Sequence, residues 1–204
     1  MLNIFLLVII LANVLISIKG FNDQLFFRKY QFHVGSIRAG EQIRMITSGF
    51  LHADEVHLAF NMITLYFFGR AMEVFFIAKI GKVGFLLFYI AGIIVSEIPS
   101  YIKHRNNYQY RSLGASGAVT AVLFSFILLA PWQTLYVFFL PVPAIIFAAL
   151  YVGYSIYMDR KGGDNVNHSA HLWGAVWGIA FTLLMDPNVL PHFLDQLMKP
   201  SFGF

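Results

Sequence analysis

The chain contains no cysteine. Disulfides, thiol nucleophiles and cysteine-bound metals are excluded together, and the redox compartment is left open. Charge is scarce as well. Asp, Glu, Lys and Arg make up 12% of the 204 residues, against roughly 25% in a soluble domain. A water-soluble globule of this size needs more charge to cover its surface. What fills the chain instead is apolar: 58% of residues, with 22 Phe and 10 Tyr. That composition excludes disorder too, because so many rings do not stay solvated. The class that remains is an integral membrane protein. The net charge of +4 suits basic loops near anionic headgroups. No basic cluster interleaved with aromatics points to nucleic acid.

Six apolar runs, at about 2–18, 56–77, 83–102, 115–130, 134–158 and 170–185, each read as a spanning helix. The expected fold is therefore all-α, a polytopic bundle of six transmembrane helices in one domain over residues 1–204. The first run has no basic segment before it and no small-x-small cleavage site, so it reads as a span rather than a signal peptide. The segment between the first two runs mixes Arg28, Lys29, Arg38, Glu41 and Arg44 with Phe21, Phe26, Phe27, Tyr30 and Phe32. Rings and charges together suit the headgroup region, so this loop is expected to be partly helical and to lie on the interface. Pro141 and Pro143 in the fifth run predict a kinked helix there.

Polar groups inside apolar runs are costly and mark function by default. His57 and Asn61 stand four apart on one helix face; they also fit a plain role as hydrogen-bonding glue between helices. The fourth run opens with Gly114-Ala115-Ser116-Gly117-Ala118, and Gly114, Gly117, Ala118, Ala121 and Ser125 form a stripe of small residues. The sixth opens with His168-Ser169-Ala170-His171 and continues with Gly174 and Gly178. Small stripes let helices approach closely. Runs four and six point the same way, so if their stripes pack, Ser116 and His171 meet at one membrane face. A serine hydroxyl is a weak nucleophile until a base takes its proton, and a neutral imidazole about 3 Å away can do this. Glu73, Glu97 and Asp186 are the acids in or beside the runs, and none is expected beside His171, so a Ser–His dyad is the economical reading. His57, Asn61 and the Ser116 N–H are candidate donors for an oxyanion, helped by the free N–H groups of a helix that starts at this serine. No metal or other cofactor is called for.

Three separated segments stand in order: His52-Ala53-Asp54-Glu55-Val56-His57-Leu58-Ala59-Phe60-Asn61-Met62, then Gly114-Ala115-Ser116-Gly117, then Ala170-His171-Leu172 with Gly174 and Gly178. Together with six runs they resemble the rhomboid intramembrane serine proteases of the six-helix bacterial type. The resemblance implies that Ser116 is the nucleophile, His171 the general base, and His57 and Asn61 the oxyanion side chains. It implies supporting roles for Gly114, Gly117, Gly174 and Gly178, a structural role for His52, and matches for Arg44 in the first loop and Glu73 late in the second helix. It further implies single-span membrane proteins as substrates, a fifth helix acting as a lateral gate, and a bacterial inner membrane. Two positions depart from the family pattern. Ile43 replaces the tryptophan of a Trp-Arg pair, and Thr120 replaces an aromatic four residues after the serine; its hydroxyl offers a hydrogen bond where a ring would stack.

Two other functions fit parts of the pattern. One is a rhomboid-like pseudoprotease that binds membrane clients without cutting, although such relatives usually lose the serine or the histidine. The other is a metal transporter in which His52, His57, His168 and His171 gather round a cation. Charge and resemblance disagree on orientation. The resemblance implies an inside amino terminus, yet that puts ten of the basic residues, from Lys19 to Lys161, outside and leaves Arg70, Lys79, Lys82 and Lys199 inside, against the positive-inside rule. The oligomeric state is not written in the sequence.

Overall fold

Short polar side chains set where the helices begin. Asp54 accepts the His57 N–H at 2.7 Å and opens α5 (Glu55–Ile80). Asn167 accepts the Ala170 N–H at 3.0 Å and opens α9 (His168–Met185). Each side chain satisfies one of the N–H groups that a first helical turn leaves without an intrahelical acceptor. The computed structural model describes residues 4–137 and 139–200. Its other long helices are α1 (Ile4–Asn22), α6 (Gly84–His104), α7 (Ser116–Leu129) and α8 (Ala144–Lys161). These six correspond to the six apolar runs; residues 2 and 3 of the first run lie outside the described residues. On length and composition, α1 and α6 are long and apolar enough to cross a membrane, and α7 is an apolar helix of 14 residues.

The fold is mostly helical, as expected, with two short strand pairings that the apolar runs do not announce. Strand β1 (Phe32–His33) pairs antiparallel with β2 (Arg111–Ser112), and β3 (Thr134–Val137) pairs with β4 (Leu140–Pro143). Strands β3 and β4 occupy the start of the fifth expected span. Pro141 and Pro143 lack an N–H and cannot sit inside a helix without breaking it, so α8 begins only after Pro143. The expected kink in the fifth helix is therefore absent, because its prolines lie ahead of it. Pro99, by contrast, lies inside α6.

The first loop is partly helical, as its composition predicts. It holds α2 (Gln24–Tyr30), α3 (Val34–Arg38), α4 (Arg44–Thr47) and a short 3-10 turn at Ser48–Phe50. Arg44 pins it: the buried guanidinium donates to the Arg28 and Gln31 carbonyls at 2.8 and 3.1 Å and pairs with Glu41 at 2.6 Å. Ile43, by contrast, is exposed.

Helix α7 is the centre of the bundle, with nearly every residue buried. It packs on α9 along one side and on α5 and α6 along others. Leu58, Met62 and Phe76 of α5 join Phe85, Phe88 and Ile93 of α6 in the core beside it. Helix α8 is the loosest, burying only Ala144, Ala148 and Ser155. Glu73 ties α1 to α5. Its buried carboxylate accepts the Phe5 and Leu6 N–H groups at 2.8 and 3.3 Å, at the positive end of the α1 dipole. Glu73→Ala is expected to remove about 1–3 kcal/mol of stability, read as a lower unfolding temperature of detergent-solubilised protein.

Candidate active site

Two glycines decide how closely α7 and α9 approach. A Cβ on Gly174 would strike the Gly117 carbonyl, and one on Gly178 would strike the Ala121 carbonyl. Only glycine permits this backbone-to-backbone contact. Ser125 Oγ bridges the same seam, its one hydroxyl proton shared between the Ala121 and Gly178 carbonyls at 2.9 and 3.0 Å. The seam aligns the starts of the two helices. Ser116 is the first residue of α7 and His171 lies in the first turn of α9. Their side chains meet, with Ser116 Oγ 2.9 Å from His171 Nε2. In the tautomer protonated on Nδ1, the serine hydroxyl donates to Nε2.

Gly114 holds the other wall. Its φ of +119° lies in the region that favours glycine. A Cβ there would come within 2.9 Å of the His57 ring. Its N–H donates to the Ser48 carbonyl at 3.0 Å, which anchors the loop before Ser116 to the first loop. Asn61 is buried and donates to the carbonyl of His57 at 3.0 Å, so it bonds its own helix rather than a neighbour. His57, Asn61, Ser116, Thr120, Tyr151 and His171 line one cavity of about 1090 Å³.

His52 lies outside this cavity. Its Nδ1 meets Ser17 Oγ at 2.8 Å, linking the first loop to α1, and its ring packs edge-on against His57 at 5.0 Å. Burial, reinforced by the neighbouring His57, pushes its pKa down to about 3, so it is neutral in this tie. His52 packs against His57, and His168 packs edge-on against His171 at 5.7 Å. Among the described residues, no three His, Asp or Glu side chains are arranged to hold a metal ion.

The expectation that no acid lies near the start of the His171 helix is corrected. Glu97 is buried in α6. It accepts hydrogen bonds from Ser112 Oγ at 3.0 Å and from Asn167 Nδ2 at 3.2 and 3.3 Å. Asn167 Oδ1 also accepts from Ser100 Oγ at 2.9 Å. This network joins α6, β2 and the cap of α9, and so holds the helix that carries His171 rather than the imidazole itself. Asp164 pairs with His168 at 3.0 Å, and that hydrogen bond holds its carboxyl below the usual carboxylate range. Sequence reasoning missed Glu97, Ser112 and Asn167 as a unit. An asparagine three residues before Ala170, at a helix start, was the available signal.

A family model described as a rhomboid domain matches residues 39–188. The chain belongs to the rhomboid family. RHOMBOID-like protein 12, mitochondrial, of Arabidopsis thaliana is 34% identical over 185 residues, covering 83% of this chain and 54% of that protein. Presenilin-associated rhomboid-like protein A, mitochondrial, of Danio rerio is 31% identical over 141 residues, covering 66% of this chain and 35% of that one. YdcA of Bacillus subtilis (strain 168), named provisionally as a rhomboid protease, is 38% identical over 80 residues, covering 39% and 37%. The chain spans about a third to a half of the length of these relatives. Rhomboids are membrane-embedded, and so this is a membrane protein. The expectation of a bacterial inner membrane gains no support from these relatives, two of which are named mitochondrial.

This rhomboid also answers what stands at the unusual position 120. Thr120 Oγ1 lies 3.0 Å from Tyr151 Oη, and the Tyr151 ring stacks on His171. The aromatic beside the imidazole comes from α8, not from α7.

Proposed function

We propose that this rhomboid is an intramembrane serine endopeptidase working through a Ser116–His171 dyad. The observation that carries the reading is the 2.9 Å contact between Ser116 Oγ and His171 Nε2 on the wall of a shared cavity. Six bilayer crossings, by α1, α5, α6, α7, α8 and α9, are part of the proposal, as is a single domain built around them.

In this mechanism Ser116 Oγ attacks the scissile carbonyl while His171 Nε2 takes the hydroxyl proton. Negative charge develops on the former carbonyl oxygen. His57, Asn61 and the Ser116 N–H are its proposed donors, at the positive end of α7. Collapse expels the amine, which receives the proton from His171. Water, deprotonated by the same imidazole, then hydrolyses the acyl-enzyme and frees Ser116. Every group can be neutral at rest, which suits a site inside an apolar bundle. The substrates are single-span membrane proteins whose helix unwinds locally, since a helical peptide bond is shielded from attack by its own turn.

A single-span reporter substrate in liposomes is expected to be cut by the wild type and left intact by Ser116→Ala; equal cutting by both removes the proposal. Asn61 must exchange its bond to the His57 carbonyl for one to the oxyanion. Asn61→Ala should therefore lower kcat by about 10²–10³-fold, less than loss of either dyad residue. An unchanged kcat would take Asn61 out of the oxyanion site.

A further inference from the structure

We infer that α8 positions the histidine base through Tyr151, so that the dyad is competent only while α8 is docked on α9; this rests on the Ser116–His171 reading above. The two helices meet with tyrosines three apart on one facing histidines three apart on the other. Tyr151 stacks on His171, with ring centroids 5.8 Å apart and planes at 26°, and Tyr154 meets His168 edge-on at 5.6 Å. The Tyr151 hydroxyl is tied to Thr120 Oγ1 at 3.0 Å, one turn beyond Ser116. One side chain of α8 therefore contacts the helix of the nucleophile and the ring of the base together.

His171 has few other means of orientation. Among the described residues its ring contacts are Tyr151 and His168, and its one side-chain hydrogen bond is to Ser116. A ring held by one hydrogen bond keeps rotational freedom, and a stacked face removes much of it. Tyr151 is itself braced, by Phe147 at 5.6 Å and Phe124 at 6.0 Å. The rest of α8 is lightly held, burying only three small residues, while Leu150 and Tyr157 are exposed. Moving α8 therefore opens one small cluster, in which Ala144, Ala148 and Phe147 meet Leu123, Phe124 and Ile127, and leaves the main core of α5, α6 and α7 intact. When α8 moves, Tyr151 leaves both Thr120 and His171. An α8 displaced to admit a polypeptide leaves the base unaligned, and its return over a seated substrate restores the dyad.

The test uses the full chain, purified in detergent, with Tyr151→Leu, Tyr151→Phe, Thr120→Val and the Phe/Val double variant. The readouts are the rate of Ser116 labelling by a fluorophosphonate, kcat and KM on the single-span reporter, and unfolding temperature. A fluorophosphonate is small enough to react without a polypeptide passing α8, so its rate reports base alignment rather than access. Tyr151→Leu should slow labelling and kcat by about tenfold, with KM nearly unchanged. Tyr151→Phe keeps the ring and loses the hydroxyl bond, as Thr120→Val does from the other side. Each should slow labelling by about threefold, and the double variant should be no slower than either single. Labelling by Tyr151→Leu at the wild-type rate, or a rise in KM alone, would overturn the inference. Should Tyr151→Leu fail to fold, additive losses in the Phe/Val pair would overturn it in the same way. Wild-type protein that is not labelled at Ser116 would instead overturn the dyad itself.

Discussion

Replacing His171 with alanine should abolish turnover while the protein still folds. The same is expected of Ser116→Ala. Residues that act as one nucleophilic unit each cost nearly the whole of the unit's contribution when removed, about 10⁴–10⁶-fold in kcat. Among the described residues, no carboxylate hydrogen-bonds the His171 imidazole. Glu97 reaches the cap of α9 through Asn167, and Asp164 reaches His168. Loss of the imidazole therefore leaves the serine hydroxyl with no acceptor for its proton. Fluorophosphonate labelling reads this step directly. Wild type should be labelled, and both variants should remain unlabelled with unfolding temperatures close to wild type. His171 lies at the cavity wall, so alanine there removes no core packing comparable to that of the α7–α9 seam. Labelling of His171→Ala at the wild-type rate would show that another group activates Ser116.

The second large effect is structural and comes from Gly178→Val. A Cβ at this position lies 2.9 Å from Ala121 Cα and nearer still to its carbonyl. These are backbone atoms of the most buried helix, and they have no rotamer by which to retreat. Overpacking of this kind costs about 1–3 kcal/mol when side chains can yield, and more is expected where they cannot. The two helices must separate, which breaks the Ser125 bond to the Gly178 carbonyl and draws Ser116 away from His171. Stability and activity should therefore fall together. Gly174→Val should behave alike, since its Cβ meets the Gly117 backbone one residue beyond Ser116. The measurements are unfolding in detergent and the fluorophosphonate rate of whatever remains folded. A stable, fully active Gly178→Val protein would mean that α7 and α9 do not pack along this seam.

The seam was legible before any coordinates because small residues at helical spacing are a local pattern. Gly117 and Ala121 recur every four residues, as do Gly174 and Gly178, and a helix brings such positions to one face. The helices were legible for a similar reason, since runs of apolar residues needed no partner to be recognised. The failure at 134–143 has a clear physical source. An apolar stretch of about ten residues looks alike in hydropathy whether it becomes strand or helix, and a proline pair is compatible with a kink inside a helix as well as with a strand ahead of one. The role of Glu97 is hidden in the sequence because its partners are 15 and 70 residues away in the chain. A carboxylate in an apolar run looks isolated until the groups that solvate it are brought round it. His52 was legible as structural only through resemblance; its bond to Ser17 joins residues 35 apart.

By itself the sequence determined the membrane class, the approximate extents of five of the six long helices and the candidacy of His57, Asn61, Ser116 and His171. All of these follow from composition or from short-range periodicity, which a chain carries whatever its partners. The tertiary structure alone decided that Ser116 and His171 come within a hydrogen bond, that Glu97 secures the cap of α9, and that the ring against His171 is Tyr151 of α8. Those facts depend on how far the glycines let two backbones approach and on which loosely held helix closes over them. Such distances are properties of packing, and no local pattern in one helix encodes the side chain that a second helix will bring.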